Sequence, residues 1–322
     1  MIPRVTRTLV PTAPSIHLEV YEAGVGPTVI LLHGFPELAY SWRHQLGPLA
    51  AAGYRVVVPN QRGYGASSSP QEIEAYDLEA LAGDVAALIR HAGNRPVVVI
   101  GHDWGAPVAW HTALRYPHLV RAVGSLSVPH AARPPRPPLQ TLREAAGPDH
   151  IHYIDYFQQP GLAESELEAN VGAFLAGFLW SISGDAPPAE RFRPIRKGAR
   201  FIDSFAPPAT LPAWLRPADL QVYVAAFSAT GFRGGLAWYR NIDRNWERTG
   251  DLAHAVVHQP ALFITGSRDP ARNPPAIDRI RDVVPDLRIL AILPGCGHWT
   301  QQERPAEVTA LILQFLATLP TA

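Results

Sequence analysis

The stretch Gly101-His102-Asp103-Trp104-Gly105 sets one carboxylate between two glycines. An apolar run at 97–100 leads in, and a helix-compatible run at 106–116 leads out. This is the strand–sharp turn–helix setting of a G-x-nucleophile-x-G elbow. The glycines let the chain turn tightly and let the helix approach the strand closely. The residue between them is thrust into the cleft above the strand ends. That place usually holds Ser; here it holds Asp103. A carboxylate attacking an sp3 carbon forms an alkyl ester, which water can cleave at its carbonyl carbon. A Ser attacking the same carbon would form an ether, which the same groups could not hydrolyse. The elbow therefore points to displacement at carbon, opening an epoxide or expelling a halide. An Asp in such a turn can also simply cap the next helix. The two glycines and the preceding strand favour the nucleophile.

Two more residues complete a relay. Asp269 lies in Gly266-Ser267-Arg268-Asp269-Pro270, after an apolar run at 261–265. His298 lies in Gly295-Cys296-Gly297-His298-Trp299, after a run at 287–293. The order nucleophile, acid, histidine is that of an α/β-hydrolase triad. Both residues fall just past the C-terminal ends of predicted strands, where open α/β sheets bind ligands. As general base, His298 would activate water, while Asp269 would orient its ring and stabilise the imidazolium. Taken singly, Asp before Pro is a common turn residue and a lone His a common packing residue. Their shared order and placement carry the assignment. The loop His33-Gly34-Phe35-Pro36-Glu37 follows a run at 28–32. It would supply half of an oxyanion hole, whose donors would be the backbone N–H groups of Phe35 and Trp104. A cis bond before Pro36 would aim the Phe35 N–H inward. Glu37 and His102 flank the cleft and are candidates for holding the hydrolytic water opposite the ester carbonyl.

These groups need a scaffold. Strand signals fall at 16–21, 28–32, 54–58, 97–100 and 120–128, with helical patterns at 40–52 and 77–91 between them. Continuous apolar strands separated by helices imply a parallel sheet covered on both faces. Five prolines in 129–138 then break the alternation. Beyond them come aromatic-rich helical stretches at 151–157, 167–180 and 217–230. Strands return at 261–265 and 287–293, and a helix at 305–316 closes the chain. The expected fold is α/β, with a mostly parallel central sheet, helices on both faces and a helical cap insertion. Residues 1–128 and 251–322 would form the two parts of the core, and 129–250 a lid over the strand ends. Two domains in series would leave the last two strands without a sheet.

Composition excludes several classes. At 322 residues and 47% hydrophobic, the chain can bury a large core. Its net charge is zero and no basic run appears, which speaks against a nucleic-acid partner. No stretch approaches membrane-span length, and residues 1–15 hold no apolar leader. Cys296 is the single cysteine, so no intrachain disulfide forms, and a cytoplasmic protein is the expectation. Histidine spacing suggests no metal site, and no cofactor is expected.

The loop from His33 to Glu37, Arg62-Gly63-Tyr64-Gly65 and the elbow together resemble the epoxide hydrolases of the α/β-hydrolase fold. His152-Tyr153-Ile154-Asp155-Tyr156-Phe157-Gln158-Gln159-Pro160-Gly161 is similar to that family's first lid-tyrosine motif, and Trp238-Tyr239-Arg240-Asn241 to its second. The resemblance spans about 16–316 and is closest to bacterial members similar to the soluble enzymes of higher organisms. By position it implies Tyr153 and Tyr239 as lid acids. Ring opening turns the epoxide oxygen into an alkoxide, which needs a donor that is protonated at neutral pH. A phenol, with its pKa near 10, is such a donor. Tyr156 lies three residues on, near the same helix face; the Phe157-Gln158 pair aligns Tyr153 with the motif instead.

The implied reaction joins an epoxide and water into a vicinal diol through an alkyl ester on Asp103. A haloalkane dehalogenase would share the Asp nucleophile, but a departing halide wants N–H donors. In such enzymes position 35 often bears a side-chain amide and the lid lacks paired tyrosines. A fluoroacetate-type enzyme would want Arg at 104. A non-catalytic ligand-binding protein on the same scaffold would tolerate loss of a catalytic residue, and none is lost. Phe174, Leu175, Phe178, Leu179 and Trp180 make the expected partner a small apolar epoxide. A homodimer is among the expected assemblies.

Overall fold

The computed structural model describes residues 4–320. Among the described residues ten strands form: β1 (Thr6–Ala13), β2 (Ile16–Ala23), β3 (Thr28–Leu32), β4 (Arg55–Asn60), β5 (Val97–His102), β6 (Val120–Leu126), β7 (His150–Ile151), β8 (Ile195–Arg196), β9 (Ala261–Gly266) and β10 (Leu287–Leu293). Eight of them make one sheet in the order β1-β2-β4-β3-β5-β6-β9-β10. From β4 to β10 all neighbours are parallel, while β1–β2 and β2–β4 are antiparallel.

Alternation along the strands separates two cores. Ile30, Leu32, Val57, Val97 and Val99 face one side, with the helices Leu78–His91 and Gly105–Arg115. Val29, Leu31, Val56, Val58, Val98 and Ile100 face the other, with Arg43–Ala51 and Pro305–Ala317. Both faces are covered, so the central strands read as unbroken apolar runs. β1 lies outside the predicted elements. Its residues are mostly exposed and Pro11 interrupts them, so it shows neither an apolar run nor a clean alternation.

The residues between β6 and β9 contribute nothing to this sheet. They form helices and the two-residue pair β7–β8. These helices differ from the expected ones in two places. The helix expected at 151–157 is a single turn, Tyr153–Tyr156, preceded by β7. The helix expected at 167–180 is divided into Leu162–Ala169 and Val171–Ser181. At the break, Asn170 accepts the Ala173 N–H at 2.9 Å and so caps the second helix.

The helix Arg233–Arg240, which bears Tyr239, was not predicted. Gly234 and Gly235 in its first turn weaken the helical signal. The packing explains them. A Cβ on Gly234 would come within 2.6 Å of the Gly63 Cα, and Gly63 itself has φ +93°. The Arg62-Gly63-Tyr64-Gly65 turn therefore meets this helix backbone to backbone. Arg62 is fixed by a two-pronged pair with Asp84, both bonds 2.8 Å, and its carbonyl accepts the Trp238 indole N–H at 3.2 Å. Tyr239, the next residue, is thereby held over the core.

Candidate active site

Asp103 sits in the turn after β5 with φ +50°, a conformation that costs a non-glycine residue about 1–2 kcal/mol. The flanking glycines are required by contact. A Cβ on Gly101 would lie 1.9 Å from the Gly105 carbonyl oxygen, and one on Gly105 would lie 2.4 Å from that of Leu32. Gly34 is equally constrained, since a Cβ there would lie 2.2 Å from Asp103 Oδ1.

The two carboxylate oxygens of Asp103 differ. Oδ1 accepts the Phe35 backbone N–H at 2.8 Å. Oδ2 lies 3.5 Å from His298 Nε2. The Phe35–Pro36 peptide is cis. Trp104 is the cap residue of Gly105–Arg115, so its N–H has no intrahelical acceptor. Burial pushes the Asp103 carboxyl up. The hydrogen bond and charge of His298, the charge of His102 and the Phe35 N–H outweigh that and hold it below its ordinary value.

Behind His298 stands Asp269, whose Oδ1 is 3.0 Å from Nδ1. The same oxygen accepts the Ala271 N–H at 2.8 Å, and Oδ2 accepts the Thr265 hydroxyl at 3.3 Å. Burial alone would lower the His298 imidazole. The neighbouring carboxylates of Asp269 and Asp103 raise it well above its ordinary value.

Glu37 and His102 are completely buried. His102 Nδ1 meets Glu37 Oε2 at 2.6 Å, and its Nε2 meets the His298 carbonyl oxygen at 2.8 Å. Glu37 also accepts from the Gly34 N–H and from the side-chain amides of Gln301 and Gln302. Protein groups occupy both ring nitrogens of His102 and both oxygens of Glu37.

A cavity of about 450 Å³ joins Asp103, His298, Phe35, Trp104, Tyr153 and Tyr239. The rings of Tyr153 and Tyr239 lie 6.0 Å apart, centre to centre. Burial, reinforced by the Asp103 charge, raises both phenols above their ordinary value, so both keep their protons. Tyr156 points elsewhere and donates to Glu166. Of the five apolar residues expected to line the pocket, Phe178 does so. Phe174, Leu175 and Leu179 pack in the core, and Trp180 donates to Glu190.

Sequence reasoning missed the ties that hold the tyrosines together. The Gln158 amide donates to the Ile154 carbonyl at 2.8 Å and to the Tyr239 carbonyl at 3.0 Å. Arg240 donates to the Phe157 carbonyl at 2.9 Å and pairs with Glu164. Both residues lie inside the two tyrosine motifs, which was the available signal. Among the described residues, no His, Cys, Asp or Glu group is arranged to hold a metal ion, and no helix is long and apolar enough to cross a membrane.

An Asp in a strand–turn–helix elbow, with a histidine and a second Asp just past strand ends, is the arrangement of an α/β-hydrolase site. A family model described as alpha/beta hydrolase fold matches residues 27–161. Epoxide hydrolase A of Mycobacterium tuberculosis is 46% identical over 310 residues, covering 94% of this chain and 95% of that protein. Two solved structures are similar throughout. An epoxide hydrolase from an endophytic Streptomyces has a TM-score of 0.93 at 42% identity, covering 98% of this chain and 95% of that one. Epoxide hydrolase A from Mycobacterium thermoresistibile also has a TM-score of 0.93, at 43% identity, covering 99% and 100%. The chain belongs to the epoxide hydrolases of the α/β-hydrolase fold.

Proposed function

We propose that this hydrolase converts an epoxide and water to a vicinal diol through an alkyl ester on Asp103. The observation that carries the reading is the shared cavity, where two protonated phenols stand with the Asp103 carboxylate and with His298, which Asp269 holds from behind. Oδ2 of Asp103 attacks a ring carbon as the C–O bond to that carbon breaks. Tyr153 and Tyr239 donate hydrogen bonds to the departing oxygen and supply its proton. Oδ1, already held by the Phe35 N–H, becomes the ester carbonyl oxygen.

In the second step His298 Nε2 takes a proton from water, and the resulting hydroxide attacks the Asp103 carbonyl carbon. Negative charge gathers on Oδ1 at the N–H groups of Phe35 and Trp104. Collapse releases the diol oxygen, which takes its proton from the His298 imidazolium. The other water proton, left on the new Asp103 carboxyl group, passes through solvent to the tyrosinate and restores carboxylate and phenol together. Glu37 and His102 contribute to water placement at one remove, because His102 bonds the His298 carbonyl oxygen. Residues 129–250 serve as the cap that brings the tyrosines to the core. The Phe35 side chain packs edge-on against Tyr239 and offers a halide no donor, and the named relatives are epoxide hydrolases.

A single turnover with excess enzyme and styrene oxide in heavy-oxygen water tests this. Label is expected in the Asp103 carboxylate, with the diol unlabelled. Label appearing directly in the diol would overturn the covalent route.

A further inference from the structure

Glu303 is 5% exposed and, among the described residues, forms no ion pair within 4.0 Å. Its carboxylate is satisfied by backbone. Oε2 accepts the Gly184 and Gly297 N–H groups, both at 2.9 Å, and Oε1 accepts the Trp299 N–H at 3.1 Å. Gly297 and Trp299 bracket His298 on the loop after β10. Gly184 belongs to the inserted segment. One side chain therefore joins the histidine loop to the insertion.

The surrounding contacts run along the same seam. The His298 N–H donates to the Ile182 carbonyl at 3.0 Å. The Trp299 indole donates to the Leu179 carbonyl at 2.7 Å, and Arg268 donates to that of Gly184 at 2.8 Å. A Cβ on Gly184 would lie 2.1 Å from the Gly295 carbonyl oxygen, and one on Gly297 would lie 2.1 Å from the Gly184 nitrogen. The two backbones touch with no side chain between them, so each fixes the other's position.

We propose that Glu303 is a positioning residue for ester hydrolysis: by fastening the His298 loop to the insertion at Gly184, it sets the reach of His298 Nε2 toward the Asp103 ester. This rests on the covalent reading above. In that reading His298 acts as a base in the second step alone, while the first belongs to Asp103 and the tyrosines. A loosened histidine loop slows hydrolysis selectively, whereas general damage to the fold slows both steps.

Glu303→Gln tests this. It keeps the size of the side chain but turns one acceptor oxygen into an NH2 that opposes a backbone N–H. Both half-reactions are measured in single turnovers, with the modified Asp103 peptide followed by mass. Alkylation is expected to stay within about threefold of the parent, and hydrolysis to fall about ten- to a hundredfold, so that the ester accumulates. Glu303→Asp keeps the acceptors on a shorter arm and is expected to lose about three- to tenfold in hydrolysis. If Glu303→Gln does not fold, the Asp variant decides. Hydrolysis at the parent rate, or equal slowing of both steps, overturns the proposal. His298→Gln is run beside them and should trap the ester. If it traps none, the covalent reading fails instead, which separates the two outcomes.

Discussion

Nε2 of His298 lies 3.5 Å from Oδ2 of Asp103, so each group acts on the other's charge. With Asp269 on its far side, the imidazole binds its proton well above the ordinary histidine value. In the proposed mechanism, alkylation would remove the Asp103 charge and so weaken the proton's hold at the moment a base is needed. Asp103→Asn presents a neutral carbonyl, as the ester does. In a histidine NMR titration of that variant, His298 is expected to deprotonate at lower pH than in the parent. An unchanged midpoint would contradict this coupling. Stability follows the same linkage. A raised folded-state value gives stabilisation that is complete below the unfolded value near 6.5 and is lost as pH rises through the folded one. The variant's stability should therefore decline less on the alkaline side.

Tyr153→Phe and Tyr239→Phe each remove one proposed donor to the departing oxygen and leave the rings packed. Each is expected to slow alkylation about ten- to a hundredfold, the scale of one lost donor. Hydrolysis of a preformed ester should be unaffected. Tyr156→Phe loses the bond to Glu166, away from the cavity, and should alkylate at the parent rate. Stopped-flow single turnovers read all three. Unchanged alkylation in both lid variants would remove the phenols from the mechanism.

The parallel core was legible because strands buried on both faces leave unbroken apolar runs, and the elbow because contact at Gly101 and Gly105 admits nothing larger. β1 was not legible, being an exposed edge strand with little apolar signal. The inserted segment was read as helical, but its breaks depend on single caps such as Asn170 and on the glycine contact between Gly63 and Gly234, which join distant parts of the chain. Within the site, the residue types were visible and their saturation was not. Glu37 and His102 looked free to hold water, yet Gln301, Gln302 and the His298 carbonyl occupy them. No local pattern announces a partner more than two hundred residues away.

His33 offers a pH test outside the reacting groups. Its Nδ1 meets the Gly34 carbonyl at 2.9 Å, and its Nε2 accepts the Gln61 N–H at 3.0 Å. The ring is therefore neutral with its proton on Nδ1. Burial depresses it to about 4. Between about pH 6.5 and that value the unfolded chain takes up a proton that the folded one refuses. Stability should fall with pH through this window, His33 contributing on the order of 3 kcal/mol. In an NMR titration its ring signals should stay those of the neutral form at pH 5. Titration near 6.5 would contradict the buried, accepting Nε2.

Gln158 reaches from the Tyr153 turn to the helix of Tyr239, bonding the Ile154 and Tyr239 carbonyls. Gln158→Leu keeps the volume and removes both bonds. Each is worth about 1 kcal/mol, so denaturant unfolding should show a loss of about 1–3 kcal/mol. The functional effect should be selective, because the proposed mechanism assigns the tyrosines to ring opening alone. Alkylation is expected to slow several-fold as the two phenols lose their common register, with hydrolysis of the ester unchanged. A stability loss without slower alkylation would mean that the bridge supports the insertion and does not set the geometry of its acids.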